Sequence, residues 1–215
     1  MNRPINQIIL ALFAALLAFL FSGCSIKNDF PQKERFRLTA ASKQAEAQAP
    51  ETGESLWVKS LDISPEFETS SFSYRIGKNR FSSDFYHVYM IPPARMVTEQ
   101  IKEDLYASRF FSPPSQNAMD EIQYHLRGKI IDLYADFQDD QDPKAMVTIR
   151  LFLEHNEKEG FKPVITQTYR AVIPMTESAP EAFVKGLSQG LTQILNQFFQ
   201  DMTDAGIQAE KDSIK

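Results

Sequence analysis

Apolar residues recur along this chain at two spacings: every second position through its middle, and every third or fourth position after two proline-marked starts. Strands and amphipathic helices are therefore expected together. Trp57, Lys59, Leu61 and Ile63 alternate with Val58, Ser60 and Asp62, and Phe72, Tyr74 and Ile76 alternate with Ser71, Ser73 and Arg75. Ser64-Pro65 and the acidic stretch that follows connect these two segments, which predicts a hairpin or neighbouring strands. An aromatic segment, Phe85-Tyr86-His87-Val88-Tyr89, runs up to Pro92-Pro93. The double proline cannot donate to a ladder and stops the strand there, while Pro93 suits the first turn of a helix. Val97, Ile101 and Leu105 then recur at four-residue steps beside Met96, with Glu99, Lys102 and Glu103 left for the wet face.

Beyond Phe110-Phe111 and Pro113-Pro114, the clearest strand pattern places Ile122, Tyr124, Leu126 and Ile130 on one face and Gln123, His125, Arg127 and Lys129 on the other. Ile131 and Leu133 continue in the opposite phase, so a bulge between Gly128 and Ile131 is expected, because one extra residue flips every later side chain. The turn from Gln138 to Pro143 leads to Val147, Ile149, Leu151 and Leu153. After the turn at Glu157 to Gly160, Ile165, Tyr169, Ala171 and Ile173 mark a returning strand. Three long consecutive strands predict an antiparallel meander. The last element is a helix with the stripe Phe183, Leu187, Leu191, Ile194, Leu195, Phe198 and Met202, opened by Ser178 and Pro180 and closed by Gly206. Gly186 and Gly190 within it each cost about 1 kcal/mol against alanine, so close packing on a strand is the expected reason for them. The fold class that results is α/β (α+β): a mixed, largely antiparallel sheet with two main helices packed on it.

The N-terminus follows another pattern. Arg3 precedes an uncharged apolar run from Ile8 to Phe21, and Ser22-Gly23-Cys24 follow. A basic leader, a short apolar core and small exit residues describe an export signal, and Phe21-Ser22-Gly23-Cys24 resembles a bacterial lipobox with Leu20 one place early. An uncleaved membrane helix is the rival, but the run falls short of the roughly 20 residues a bilayer core needs. Cys24 is the only cysteine, so no internal disulfide can form, and its position makes acylation its expected fate. Several acyl chains, each buried methylene worth about 0.8 kcal/mol, anchor permanently. Ser25 after the cysteine, where inner-membrane lipoproteins carry aspartate, suggests the outer membrane. The island Phe36-Arg37-Leu38-Thr39-Ala40 is followed by Ala41 to Ser55, a stretch without aromatic or branched apolar residues that reads as linker. A coil between Cys24 and Leu56 averages roughly 30 Å. The expected organisation is a signal over residues 1–23, a lipidated N-terminus and flexible tether over 24–55, one domain over 56–203 and a polar tail over 204–215.

Charge and motif content narrow the function. Cleavage before Cys24 removes Arg3 from the 23 Lys and Arg, leaving 22 against 28 Asp and Glu and a formal charge of −6. The cations are scattered along the sequence, which argues against a nucleic-acid partner. His87, His125 and His155 each fall in or beside a predicted strand without partners at metal-ligand spacing. Asp139, Asp140 and Asp142 lack the glycine and closing glutamate of a calcium loop and read as a solvated turn. No catalytic or cofactor motif is present in the sequence, and no enzyme, metal or cofactor is expected.

The mature chain resembles the ABC-type transport auxiliary lipoprotein family, which includes the paraquat-inducible-protein C type. The likeness runs through Phe36-Arg37-Leu38, the strand from Leu56 to Ile63, Tyr74-Arg75-Ile76 and, above all, Asp84-Phe85-Tyr86-His87-Val88-Tyr89-Met90-Ile91-Pro92-Pro93 before a helix. Family members usually carry Arg-Trp after the histidine position, where this chain has Val88-Tyr89. The resemblance implies a non-enzymatic subunit at the outer membrane, held in the lipid through acylated Cys24. Its implied partner is an MCE-domain periplasmic protein that works with an inner-membrane permease and ATPase to move lipid, and a homo-oligomer is compatible with it. Tyr86, Tyr89, Pro92 and Pro93 are the expected partner contact. The same anchor, tether and domain would also suit a lipoprotein that activates or scaffolds another envelope machine. An envelope hydrolase is a further rival, and it requires a deep pocket lined by His87 or a carboxylate pair.

Overall fold

The alternating segments pair into one sheet because each has a single apolar side to bury. The computed structural model describes residues 32–40, 54–108, 110–115 and 122–207. Its strands are β1 (Glu34–Phe36), β2 (Leu56–Val58), β3 (Asp62–Ile63), β4 (Ser71–Gly77), β5 (Arg80–Tyr89), β6 (Tyr124–Asp136), β7 (Lys144–Glu157) and β8 (Gly160–Pro174). Two helices, α1 (Pro93–Ala107) and α2 (Pro180–Asp204), accompany them. The strand order is β1-β5-β4-β6-β7-β8, with β2 and β3 also on β6.

The meander β6-β7-β8 is antiparallel throughout. Leu126 faces Leu153 and Ile130 faces Ile149; the register then shifts between Ile130 and Asp132, after which Leu133 faces Val147 and Ala135 faces Ala145. Ile131 is thus the bulged residue, and it keeps both apolar halves of β6 on the core side. On β7, Ala145, Val147, Ile149, Leu151 and Leu153 are all buried on that side.

Both helices contribute to the same core cluster. On α2, a Cβ at Gly186 would lie 2.7 Å from the Ala145 Cβ, and one at Gly190 would lie 3.1 Å from Val147 Cγ2, so the helix backbone rests directly on β7. The helix ends in a Schellman cap: Gly206 has φ +84, its N–H donates to Thr203 O, and the Ile207 N–H donates to Met202 O. Ile207 is buried, so the fold runs past the expected start of the tail at residue 204. Helix α1 is tied to the β2–β3 segment, where Thr98 Oγ1 accepts from the Leu61 N–H at 3.0 Å and Tyr106 donates to Leu56 O at 3.0 Å.

Two further expectations are corrected. Trp57–Ile63 does not form a hairpin with Phe72–Ile76, because β2, β3 and β4 all run parallel to β6, one after another along the same edge. Ser64-Pro65 leads into a short 3₁₀ turn, Pro65–Phe67, that carries the chain forward; it has no glycine to supply the positive φ of a tight reversal. The folded region also begins before residue 56: β1 pairs in parallel with β5, Glu34 facing His87 and Phe36 facing Tyr89. Leu38 is only 2% exposed, and its N–H donates to Met96 Sδ. The island after the signal is therefore an edge strand and a core anchor. Lys33 onward forms one unit. Cys24, the linker residues 41–53 and the tail residues 208–215 lie outside the described residues.

Candidate functional site

Strand β5 departs from regular pairing at the aromatic motif. Ser73 faces Ser83 and Ser71 faces Val88, so Asp84 to His87 stand opposite Phe72 alone as an enlarged bulge in the β4–β5 ladder, while His87 keeps its place opposite Glu34 of β1. Asp84 holds this bulge as an Asx turn. Its Oδ1 accepts from the N–H groups of Tyr86 (2.8 Å) and His87 (3.0 Å), and its Oδ2 accepts from the Tyr74 hydroxyl (2.8 Å) and faces His87 Nδ1 at 2.7 Å. Burial pushes the Asp84 carboxyl up, but the hydrogen bonds from His87, Tyr74 and Tyr86 outweigh it and leave the group below its ordinary value. Burial, aided by the bond to Asp84, raises the Tyr74 phenol well above its ordinary value and keeps it a donor.

The bulge presents apolar side chains outward. Phe85 is 67% exposed and Tyr86 39%, with their rings 5.2 Å apart edge to face. Lys33 Nζ stands 4.3 Å from the Phe85 ring centroid. Past the buried Tyr89, Met90 (53% exposed), Ile91 and Pro92 extend the strip. The Met90 N–H donates to Phe36 O, which ties the strip to β1. Beside it lies a hollow of about 310 Å³ lined by Leu38, Met90, Ile91, Met96 and Glu99 among others.

Of the four residues expected to meet a partner, Tyr86 and Pro92 are exposed, whereas Tyr89 and Pro93 are buried. The Tyr89 ring packs 4.7 Å from that of Phe72, and its hydroxyl has no hydrogen-bond partner among the described residues. Tyr89 and Pro93 therefore support the strip from behind. Sequence reasoning missed Phe85, Met90 and Ile91. Regular alternation puts Phe85 and Tyr89 on the same side, and only an Asx turn at Asp84 separates them, so the aspartate before two aromatics was the available signal.

The histidines are dispersed. His125 lies between Trp57 (5.0 Å) and Phe161 (3.9 Å), and burial lowers its pKa against the opposing pull of Glu154. His155 packs 4.8 Å from Tyr124, and His87 serves the Asp84 turn. Asp139 and Asp142 close the β6–β7 turn, with the Gln141 N–H donating to Asp139 Oδ1 at 3.0 Å. Among the described residues no group of His, Cys, Asp or Glu is arranged to hold a metal, and no helix is long and apolar enough to cross a membrane.

Known proteins share this architecture. The chain is similar over 80% of its length to the crystal structure of a Xanthomonas campestris protein of the DUF330 family, at 14% identity and a TM-score of 0.66, covering 96% of that protein. A second solved structure, of an uncharacterized protein, matches over 80% of this chain and 99% of its own at 11% identity and a TM-score of 0.60. At these identities the likeness is one of fold. No curated protein matches the sequence. The family model for the ABC-type transport auxiliary lipoprotein component matches residues 36–198, beginning at β1 and ending in α2. Because that match takes in the sheet, both helices and the bulged aromatic motif, the chain belongs to the family of ABC-type transport auxiliary lipoprotein components.

Proposed function

We propose that this lipoprotein is the outer-membrane-anchored, non-enzymatic subunit of an ABC transport system that moves lipid between membranes through an MCE-domain periplasmic protein, and that the β5 strip meets that protein. The observation carrying this reading is the exposed run Phe85, Tyr86, Met90 and Ile91, held by a turn whose carboxylate is fully committed to hydrogen bonds. Apolar and aromatic side chains fixed in place lose little entropy on docking and make good interface anchors. The anchor at Cys24 and the chain after it hold the domain close to one membrane, which turns a weak contact into a local one. The permease and ATPase complete the system in the inner membrane.

The test is photocrosslinking in intact cells from a probe at position 85. Crosslinks to an MCE-domain protein are expected, together with loss of about tenfold or more in capture for Phe85→Ser combined with Tyr86→Ser. The melting temperature should hold, since both side chains already face solvent. Undiminished capture by the double variant, or crosslinks confined to a cell-wall synthase, refutes the assignment.

A further inference from the structure

The sheet face opposite the helices carries a cluster of cations of which, among the described residues, Arg127 alone has an ion-pair partner. On β6 and β7, Arg127 stands opposite Phe152 and Lys129 opposite Arg150, so three corners of one block of cross-strand neighbours are positive. Like charges directly opposite one another destabilise a sheet. The chain as a whole is acidic, with 28 Asp and Glu against 23 Lys and Arg, so this concentration runs against both local stability and mean charge. Lys59 joins from the segment between β2 and β3, and together these side chains line a hollow of about 460 Å³. Among its described lining residues, Asp62 is the one carboxylate.

The cations are also ordered. Arg127 Cζ lies 4.5 Å and Arg150 Cζ 5.1 Å from the centroid of the Phe152 ring, so one aromatic platform positions two guanidiniums. Glu154 pairs with Arg127 at 2.7 Å, but Lys59, Lys129 and Arg150 form no ion pair among the described residues. Guanidinium forks match phosphate oxygens in pairs, a lysine adds a point charge, and Ser60 on the rim adds a hydroxyl donor.

We propose that this hollow binds a phosphate ester anion, with Lys129 and Arg150 as its principal cations and Arg127 and Lys59 at its rim. The site stands on its own charges and does not rest on the transport role. A lipid headgroup and a soluble phosphate ester offer the same chemistry, and the experiment separates them.

Trp57, the only tryptophan, is the cross-strand neighbour of His125 on this face and lies two residues before Lys59, so its fluorescence reports on the hollow. Detergent-solubilised full-length lipoprotein is titrated with short-chain phosphatidylglycerol, with glycerol 3-phosphate and with inorganic phosphate. A saturable change is expected with at least one of them, weakened about tenfold or more by Arg150→Gln and by Lys129→Gln. Both variants should melt near the parent temperature, because each relieves the Lys129–Arg150 repulsion while Lys129→Gln gives up the attraction of its neighbour Asp62 and Arg150→Gln its stacking on Phe152. Binding of phosphatidylglycerol alone assigns the hollow to a lipid headgroup, and comparable binding of either small anion assigns it to a soluble phosphate. No saturable response to any of the three, or responses unaltered by both substitutions, overturns the site. The Phe85→Ser, Tyr86→Ser protein should titrate like the parent, so failure here is separable from failure of the docking assignment.

Discussion

Asp84 is the residue on which the candidate interface turns. Its two oxygens collect two backbone donors, a phenol and an imidazole at one bulge, so its loss frees the aromatic strip and leaves the half-buried Tyr74 hydroxyl without its acceptor. Asp84→Ala is expected to cost about 1–3 kcal/mol in denaturant unfolding and to weaken partner capture along with it. Acid should act on the same contacts. Asp84, Asp136 and Glu154 all sit below their ordinary values: Asp84 and Asp136 despite burial, through bonds from His87 and Arg75 respectively, and Glu154 chiefly through its bond from Arg127. A carboxyl depressed in the folded state stabilises it fully above the unfolded value and loses that contribution as pH falls through the folded one. The melting temperature should therefore drop as pH falls through the carboxylate range, beyond the earlier loss that His125 adds on gaining a proton, and Asp84→Asn should lessen the acid drop. An acid limb unaltered in Asp84→Asn would show that this carboxyl plays no part.

At the scale of elements, the decisive contact is helix α2 on strand β7. The stripe on α2 was readable because each of its apolar residues follows the last within one turn of helix, and all of Phe183, Leu187, Leu191, Ile194, Leu195, Phe198 and Met202 are buried. Alanine in a helix is worth about 1 kcal/mol over glycine. At Gly186, however, the added carbon would meet the Ala145 Cβ at 2.7 Å, and neither atom sits on a flexible side chain. Gly186→Ala should therefore lower stability by about 1–3 kcal/mol, and Ala145→Gly in the same chain should restore most of it. A rise in melting temperature for Gly186→Ala alone would mean that helix propensity outweighs the contact. The bulge at Ile131 was legible for a related reason, since a strand whose apolar positions change phase midway can keep one face buried only by inserting a residue. The parallel run of β2, β3 and β4 along β6 was not, because local alternation says which face a strand buries and nothing about its neighbour.

For the molecule as a whole, the boundary of the folded unit matters most for how the anchor reaches it. With β1 and Leu38 built into the domain, the stretch from Cys24 to the first paired residue, Glu34, is far shorter than one running to Leu56. Leu38→Ala should destabilise the whole domain by about 2–5 kcal/mol, as expected for a buried leucine in a packed core. A residue in a true tether would tolerate that change, so unaltered unfolding would move the boundary back to residue 56. Cys24→Ser is expected to release the protein from the membrane fraction, measured by fractionation, while the domain folds as before.

What the sequence determined by itself are the features written into periodicity and punctuation. These are the meander, the two helices with their proline starts and the closing glycine, because each depends on residues within a few positions of one another. Tertiary structure alone decided matters that depend on distant chain. Edge β1 acquires its partner from β5, the outward turn of Phe85 follows from an aspartate answering to Tyr74, and the pairing of Lys129 with Arg150 is a matter of cross-strand register. In each case the energy lies in a contact between residues well separated in sequence or in a break from regular alternation, and neither leaves a periodic trace.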